Sequence, residues 1–190
     1  MRRQGFTMIE IVVAVAVVLI LASVAMPVTT RTLRKGAISA TKSELAAVGK
    51  ALLAYAGDYR LTASDVKWGR FPAEQTGLGG ASTVLGSDLE SDLAGQGWNP
   101  VLRQGWNGPY LTAQPERCDA DGDGTVDVVR SYQVDAWGRF YRYRNRTPGG
   151  GFVTSMSDTR VVTVESGGPD RNLATAGDNV VYEVYTGRAY

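Results

Sequence analysis

Residues 1–28 read MRRQGFTMIEIVVAVAVVLILASVAMPV, and this stretch decides how the chain is organised. A short basic segment comes first, and an almost wholly apolar run follows it over residues 11–26. A helix over residues 6–28 would be roughly 34 Å long at ~1.5 Å per residue, which is enough to cross the hydrocarbon core of a bilayer. A secretory signal peptide has its cleavage site after the apolar part, and no convincing site follows here. We therefore expect this helix to be retained and to span a membrane.

Glu10 is the ionisable residue of this apolar helix. Insertion scales put the cost of a carboxylate inside a membrane helix at roughly 2.5–3.5 kcal/mol, so such a residue marks function by default. Cleavage before Phe6 would create a free amine a few residues away. In a low dielectric, the terminal ammonium of a neighbouring subunit would pair strongly with Glu10 and set the register between subunits. The alternative is that Glu10 lies at the membrane interface and reaches water.

The string Gly5-Phe6-Thr7-Met8-Ile9-Glu10, followed by an apolar helix, resembles the signature of type IV prepilins. Type IV pilins and type II secretion pseudopilins share this signature. The resemblance implies that residues 1–5 are a leader cleaved between Gly5 and Phe6 by a prepilin peptidase, that Phe6 is N-methylated, and that Glu10 is the assembly residue. It also implies a single-pass protein of the bacterial inner membrane, with its globular domain and the assembled filament in the periplasm.

Pro27 lies near the end of the apolar run, where this family usually has a helix-bending proline. A proline in the middle of a helix removes a backbone hydrogen bond and kinks or loosens the preceding turn. In a filament, that loosening would let the segment stretch. The alternative is that Pro27 simply ends the membrane span.

The rest of the sequence predicts an α+β fold. Apolar residues recur at helical spacing after residue 28, so we expect residues 29–57 to continue the helix as an amphipathic segment that stops at about Ala56. Residues 58–125 are dense in glycine, proline, serine and asparagine, and they are expected to form long irregular loops with one short helix at residues 87–94.

The last third of the chain, residues 126–190, is predicted to form an antiparallel sheet. Short β-branched or aromatic runs bounded by turn residues occur at residues 126–134, 139–144, 160–165 and 180–185. Because no helices separate these runs, crossover connections are excluded and the strands should pair antiparallel. We expect a small three- to four-stranded antiparallel sheet packed on the long N-terminal helix.

Two segments of this region resemble the major pseudopilin of type II secretion in particular. They are GWNGPYL at residues 105–111 and DAWGRFYRY at residues 135–143, where Ala136 and Phe140 replace two prolines of the family pattern. We interpret Trp106 and Trp137 as core anchors. Many type IV pilins carry a C-terminal disulfide loop, which this chain cannot form because Cys118 is its single cysteine. The absence of that loop favours the pseudopilin branch.

The loop at residues 166–179 also resembles the pseudopilin pattern Ser-x-Gly-x-Asp…Asp, whose loop holds calcium. The resemblance implies Ser166, Asp170 and Asp178 as side-chain ligands of Ca2+ and Leu173 as a carbonyl ligand. Calcium takes about six to eight oxygen ligands, and these residue types supply them. The alternative is a solvated loop rich in turns.

A second acidic loop predicts another calcium site. Its candidate ligands match the start of an EF-hand-type loop and are Asp119, Asp121, Asp123, Thr125 and Asp127. Arg130 stands where the bidentate glutamate of an EF-hand would be, and no flanking helices are evident. We therefore expect a shortened calcium loop, with a plain acidic turn as the alternative.

The composition argues against an enzyme and gives no argument for nucleic acid binding. The chain has no histidine, the commonest general base, and a formal net charge of +1. We expect a structural pseudopilin that forms a homo-oligomeric filament, a type II secretion pseudopilus that drives protein export. Its expected partners are the prepilin peptidase, the inner-membrane assembly platform and minor pseudopilins.

The alternative function is a type IV pilin or minor pilin used for adhesion, motility or DNA uptake. Four arginines alternate with aromatic residues over residues 139–146, and a DNA-uptake protein could use them to contact phosphates and stack on bases. A strand with a solvated basic face is the simpler interpretation.

Overall fold

The computed structural model describes residues 7–58, 71–72, 74–76, 83–91, 95, 97–102, 105–151 and 158–188, without the side chains of residues 24–28 and 188. The chain divides into two units, Met1–Ala37 and Ile38–Tyr190. The predicted cleavage and methylation residues, Gly5 and Phe6, lie outside the described residues.

A single long helix, α1 (Met8–Asp58), begins the described chain. It does not end at Pro27, and it stops two residues after the predicted stop at Ala56. The carbonyl of Asp58 accepts a hydrogen bond of 2.8 Å from the backbone N–H of Gly105, which satisfies one of the carbonyls that a helix leaves unpaired at its C-terminus. Residues 8–21 are all exposed, and none of their side chains belongs to the core. Within the described part of the chain, no helix has the length and apolarity needed to cross a membrane.

Seven short strands form three antiparallel sheets within the described residues. The strands are β1 (Gln75–Thr76), β2 (Thr83–Val84), β3 (Pro115–Cys118), β4 (Asp127–Arg130), β5 (Arg142–Arg146), β6 (Thr159–Ser166) and β7 (Val180–Arg188). The pairs β1–β2 and β3–β4 make two-stranded sheets, and the largest sheet has the order β5–β6–β7. Short 3-10 helices occur at Ser87–Leu89, Ser131–Gln133 and Gly168–Asp170.

The main core joins the second part of α1 to the three-stranded sheet. One face of the helix and the inner faces of the strands contribute Leu45, Val48, Leu52, Tyr55, Tyr143, Val162, Val164 and Val184. Side chains alternate between the two faces of a strand, which is why Tyr143 of β5 is buried while its neighbour Arg144 is exposed. The α+β class and the packing of the helix on an antiparallel sheet are confirmed.

Several details of the predicted secondary structure are wrong. The predicted strand at residues 126–134 is cut short, because β4 ends at Arg130 and a 3-10 helix follows. This strand also pairs with β3 rather than joining the three-stranded sheet. The sequence did not predict β3, since its residues PERC include two charged side chains, are mostly exposed and show no apolar alternation. The predicted helix at residues 87–94 is a 3-10 helix of three residues over its first part, and residues 92–94 lie outside the described residues.

Of the two tryptophans predicted as core anchors, one packs against the core and the other does not. Trp106 packs against the main core, and its indole Nε1 donates a 3.1 Å hydrogen bond to the carbonyl of Asp88. Trp137 is half-buried and belongs to neither core cluster of the described residues. It lies in a tight turn that starts at Asp135, and its backbone rather than its ring holds this turn together.

Candidate assembly and cation sites

Glu10 caps the first turn of its own helix. Thr7 precedes the helix, and its backbone N–H and its hydroxyl both donate to Glu10 Oε2, at 3.0 and 2.9 Å. In return, the backbone N–H of Glu10 donates to Thr7 Oγ1 at 3.3 Å. This reciprocal arrangement is a capping box, which satisfies backbone donors that the helix start leaves unpaired. The spacing Thr-x-x-Glu before an apolar run is its sequence signal, which our prediction of Glu10 as an assembly residue did not use.

The acidic loop, residues 119–127, is the connection between β3 and β4. Cys118 and Asp127 are paired at the end of this hairpin, so the two ends of the loop are held close together. Carboxylate oxygens of Asp119, Asp121 and Asp127 all lie within 4.8 Å of one another. Within the described residues, these three make up the group of acidic side chains that could hold a metal ion.

Asp123 and Thr125, the other two predicted ligands, bond to each other. The backbone N–H and the hydroxyl of Thr125 donate to Asp123 Oδ1 at 2.7 and 2.6 Å. The hydroxyl and the N–H of Thr125 lower the pKa of Asp123 below its ordinary value. Asp123 is therefore engaged within the loop and stands apart from the group of three carboxylates.

The same loop also receives a positive charge from within the chain. Arg139 Nη1 donates to the carbonyl of Asp119 at 2.8 Å and forms an ion pair with Asp119 Oδ1 at 3.2 Å. A side chain at Gly122 would overlap this guanidinium, so the loop and Arg139 are closely packed. A cation bound by the three carboxylates would share Asp119 with Arg139. The donor set otherwise suits a hard cation such as Ca2+, which prefers carboxylate oxygens.

A buried carboxylate connects this loop to the C-terminal loop, residues 166–179. Asp135 Oδ1 accepts hydrogen bonds from the backbone N–H groups of Trp137 and Arg139, at 2.9 and 3.0 Å. Its other oxygen, Oδ2, accepts a 2.6 Å hydrogen bond from the hydroxyl of Ser166. The turn at residues 135–139 thus contacts the acidic loop through Arg139 and the C-terminal loop through Ser166. This turn resembles a family motif, but nothing in its local sequence predicted its role as a link.

The C-terminal loop holds its predicted ligands in different environments. Ser166 is buried and donates to Asp135, whereas Asp170 is exposed and accepts from the backbone N–H of Asn172 at 2.9 Å. Asp178 is half-buried, and its carbonyl lies so close to Gly168 that a side chain at residue 168 would overlap it. Asp170 and Asp178 do not belong to a group of three acidic residues within the described part of the chain.

Asn179 is a candidate ligand that the sequence analysis missed. Its Nδ2 donates to the carbonyl of Leu173 at 3.2 Å, which connects the two ends of the C-terminal loop. Its Oδ1 is buried and, among the described residues, has no hydrogen-bond partner. A buried oxygen without a donor fits a cation beside it, because burial of an unsatisfied polar group is costly. Its position directly after Asp178 is the signal that could have identified it.

In the basic segment considered for DNA contact, three of the four arginines are paired with carboxylates, Arg144 is exposed, and the aromatic rings are buried. Arg142 forms an ion pair with Glu165, and Arg146 forms one with Glu74. Tyr141 and Tyr143 point into the core and are almost fully buried. Bases could not stack on buried rings, so this strand does not present the surface that single-stranded DNA binding needs.

Comparison with known proteins identifies the N-terminus. Residues 1–26 match the family model described as the prokaryotic N-terminal methylation motif. No curated protein and no solved structure matches the chain. The motif implies processing by a prepilin peptidase and pilus-like assembly, and it indicates a structural subunit. It suggests an N-terminal anchor in a bacterial inner membrane. The chain thus carries a type IV prepilin-like N-terminus, which supports a type IV pilin-like protein.

Proposed function

We propose that this chain is a pseudopilin, a subunit that polymerises into a type II secretion pseudopilus and drives protein export. The match of residues 1–26 to the methylation motif carries the proposal. The pseudopilin branch is supported by the segments at residues 105–111 and 135–143 and by the single cysteine. The pairing of Arg142 and Arg146 with carboxylates also counts against a DNA-uptake pilin.

In this proposal, a prepilin peptidase cuts between Gly5 and Phe6, and the new amine of Phe6 is methylated. Residues 6–28 anchor the subunit in the inner membrane with the globular part in the periplasm. Glu10 then has two functions, since it caps its own helix and pairs with the terminal amine of a neighbouring subunit. The apolar side chains of residues 8–21 that are exposed in the single chain would contact lipid before assembly and other helices after it.

The substitution Glu10→Gln separates these two functions. Glutamine also serves at this position of a capping box, so the helix start should be preserved while the negative charge is lost. We expect the full-length variant, expressed with its prepilin peptidase, to be cleaved and methylated like the wild type but to yield no sheared filaments. Intact-mass spectrometry reports processing, and immunoblots of the sheared fraction report assembly.

Two outcomes of this experiment would contradict the proposal. If the wild-type chain is not cut after Gly5, the prepilin assignment fails. If Glu10→Gln assembles as the wild type does, the carboxylate charge is not the assembly determinant. Deletion of the chain in its host distinguishes the two branches, because loss of a pseudopilin should leave exported proteins in the periplasm. Loss of motility or adhesion with normal export would identify a type IV pilin instead.

We also propose that the acidic loop and the C-terminal loop bind Ca2+. Support comes from the three carboxylates of the acidic loop within 4.8 Å of one another and from the buried Oδ1 of Asn179. Asp119, Asp121 and Asp127 would hold an ion in the acidic loop. Asp170, Asp178, the carbonyl of Leu173 and Asn179 would hold one in the C-terminal loop. The bound cation would neutralise the carboxylates and order two glycine-rich loops, with a structural role.

A further inference from the structure

Three basic residues lie within five positions on α1, shortly after its apolar part. Arg31, Arg34 and Lys35 are all exposed, and they belong to the same unit of the structure as the exposed apolar residues 8–21. Residues that are three and four positions apart lie on one face of a helix, so these side chains share a face. We call these three residues the basic cluster.

The sequence around the basic cluster contains nothing that balances its charge. No aspartate or glutamate occurs between residues 11 and 43, and the same stretch has a fourth basic residue, Lys42. On many surface helices, a carboxylate three or four positions away pairs with each lysine or arginine, and no such carboxylate is available here. The basic cluster therefore offers three positive charges to an anionic partner.

The place of the basic cluster along the helix indicates what this partner is. At ~1.5 Å per residue, Arg31 lies about 5 Å and Lys35 about 10 Å beyond the end of the proposed membrane anchor at residue 28. Side chains on a helix lean toward its N-terminus, which is here toward the bilayer, and the long stems of arginine and lysine extend this reach. The headgroup region of each leaflet is roughly 5–8 Å deep, so the charged groups would lie at the level of the lipid phosphates.

The basic cluster lies on the side of the membrane where basic residues are not needed for orientation. Lysine and arginine normally concentrate on the cytoplasmic flank of a membrane helix, and this bias sets the orientation of the helix. In the proposed orientation, the cluster is on the periplasmic flank, where it opposes that bias. Its three charges therefore indicate a purpose other than orientation.

We propose that the basic cluster binds the headgroups of anionic phospholipids in the periplasmic leaflet of the membrane that anchors the subunit. An arginine can hold a phosphate through two parallel hydrogen bonds, and a lysine adds a point charge. The contact would fix the depth of the helix before assembly, and it would break when the subunit leaves the bilayer. This inference rests on the proposed function, because it requires residues 6–28 to lie in a membrane.

Lipid retention by the processed full-length chain tests the contact. The protein is reconstituted with equal amounts of phosphatidylglycerol and phosphatidylcholine that have the same acyl chains, and native mass spectrometry counts the lipids retained after mild detergent extraction. A basic residue near an anionic membrane surface is worth about fivefold in affinity, so the wild type should prefer phosphatidylglycerol by about fivefold or more. The triple variant Arg31→Gln, Arg34→Gln, Lys35→Gln should lose this preference. Glutamine is a good helix former, so α1 should be preserved.

A second triple variant, Lys50→Gln, Arg144→Gln, Arg171→Gln, is the matched control. It removes the same number of positive charges at exposed residues outside the basic cluster, so the preference for phosphatidylglycerol should stay as in the wild type. The thermal unfolding midpoint is measured for both variants. A wild type without lipid preference overturns the proposal, and so does an equal loss in the two triple variants.

The amount of sheared filament separates this inference from the proposed function. If the wild type forms filaments but shows no lipid preference, the headgroup contact is wrong and the pseudopilin proposal stands. If the lipid preference is lost in the cluster variant alone but the processed wild type never makes filaments, the contact stands and the filament function fails. A cluster variant that keeps its lipid preference but makes no filaments would identify an acidic surface of a second copy as the partner, and this result overturns the inference.

Discussion

Asp135 shows how one side chain organises the loops of this protein. It is 3% exposed, and its carboxylate accepts three hydrogen bonds, from the backbone of Trp137 and Arg139 and from the hydroxyl of Ser166. A buried carboxylate is costly unless hydrogen bonds replace its water. These three donors supply that replacement, so the turn and the end of β6 are bound to each other.

Asp135→Asn should lower the free energy of unfolding by about 1–3 kcal/mol, because an amide nitrogen cannot accept the hydrogen bond from Ser166 and leaves buried groups mismatched. Urea unfolding of the full-length chain in detergent with a chelator present measures this change. Asp170→Asn, at an exposed carboxylate of the C-terminal loop, should change the free energy by less than about 0.5 kcal/mol. Equal effects of the two substitutions would contradict the role assigned to Asp135.

Tyr143 links stability to pH. Its ring is fully buried in the main core, and its hydroxyl donates to the carbonyl of Pro72 at 2.9 Å. Burial raises the pKa of Tyr143 well above its ordinary value, and the nearby Glu74 adds to the rise. In the unfolded chain, a tyrosine ionises with a pKa of about 10. The unfolded state therefore loses this proton first, and the stabilising effect of Tyr143 is full below pH ~10 and is lost as the pH rises above it.

Tyr143→Phe should accordingly cost about 1 kcal/mol at pH 8, from the lost hydrogen bond to Pro72. The stability advantage of the wild type should then shrink above pH ~10, by up to about 1.4 kcal/mol per pH unit. Urea unfolding of both proteins at a series of pH values from neutral to alkaline measures the difference. A difference that stays constant with pH would show that Tyr143 ionises equally in both states.

At the scale of elements, α1 approaches the sheet closely at a glycine. A Cβ at Gly49 would overlap the ring of Tyr182 on β7. Glycine is a poor helix former, so its place in the middle of α1 needs a packing reason. Here it lets the helix backbone lie close to the edge strand of the sheet.

Gly49→Ala should destabilise the protein by about 1–3 kcal/mol through overpacking, reduced by the better helix propensity of alanine. Gly57 of the same helix has no atom within 4 Å of an added Cβ, so Gly57→Ala is the matched control and should leave the stability equal or raise it by less than about 1 kcal/mol. Urea unfolding of both variants decides the outcome. The loss of unfolding free energy caused by Gly49→Ala should be smaller in a Tyr182→Ala background. If it is not, overlap with the Tyr182 ring is not the cause of the destabilisation.

The elements predicted correctly are those with strong local patterns. The helix has long apolar and amphipathic stretches, and β6 and β7 are rich in valine. β3 was missed because its exposed polar residues have no pattern of their own, and it exists because β4 pairs with it. β4 was predicted too long because the backbone turns at Ser131–Gln133, where Gln133 Oε1 accepts from the N–H of Arg130.

For the whole molecule, calcium should act as a stabilising ligand. Binding to the folded state alone at a hundredfold excess over Kd adds about 2.7 kcal/mol per site, so the thermal midpoint of the full-length chain in detergent should rise with Ca2+ and fall with a chelator. Asp121→Ala, in the acidic loop, and Asp178→Ala, in the C-terminal loop, should each remove part of this rise. Glu116→Ala, at an exposed carboxylate of β3, should leave it unchanged. If the thermal midpoint does not rise with Ca2+ and elemental analysis finds no bound metal, the calcium proposal is wrong and both loops are ordinary turns.

The sequence by itself determined the N-terminal motif, the long helix and the α+β class. Cleavage and methylation motifs are read from contiguous residues, and amphipathic periodicity is a property of one segment, so neither needs knowledge of distant contacts. The acidic residues of the loop at residues 119–127 were predicted as ligands from their spacing, and those of the C-terminal loop from the family resemblance.

Only the tertiary structure decided which of these residues contact each other. Arg139 contacts Asp119 across 20 positions of the chain, and Ser166 contacts Asp135 across 31. Such pairs have no local pattern, because they arise when strands from different parts of the chain are brought together by the core.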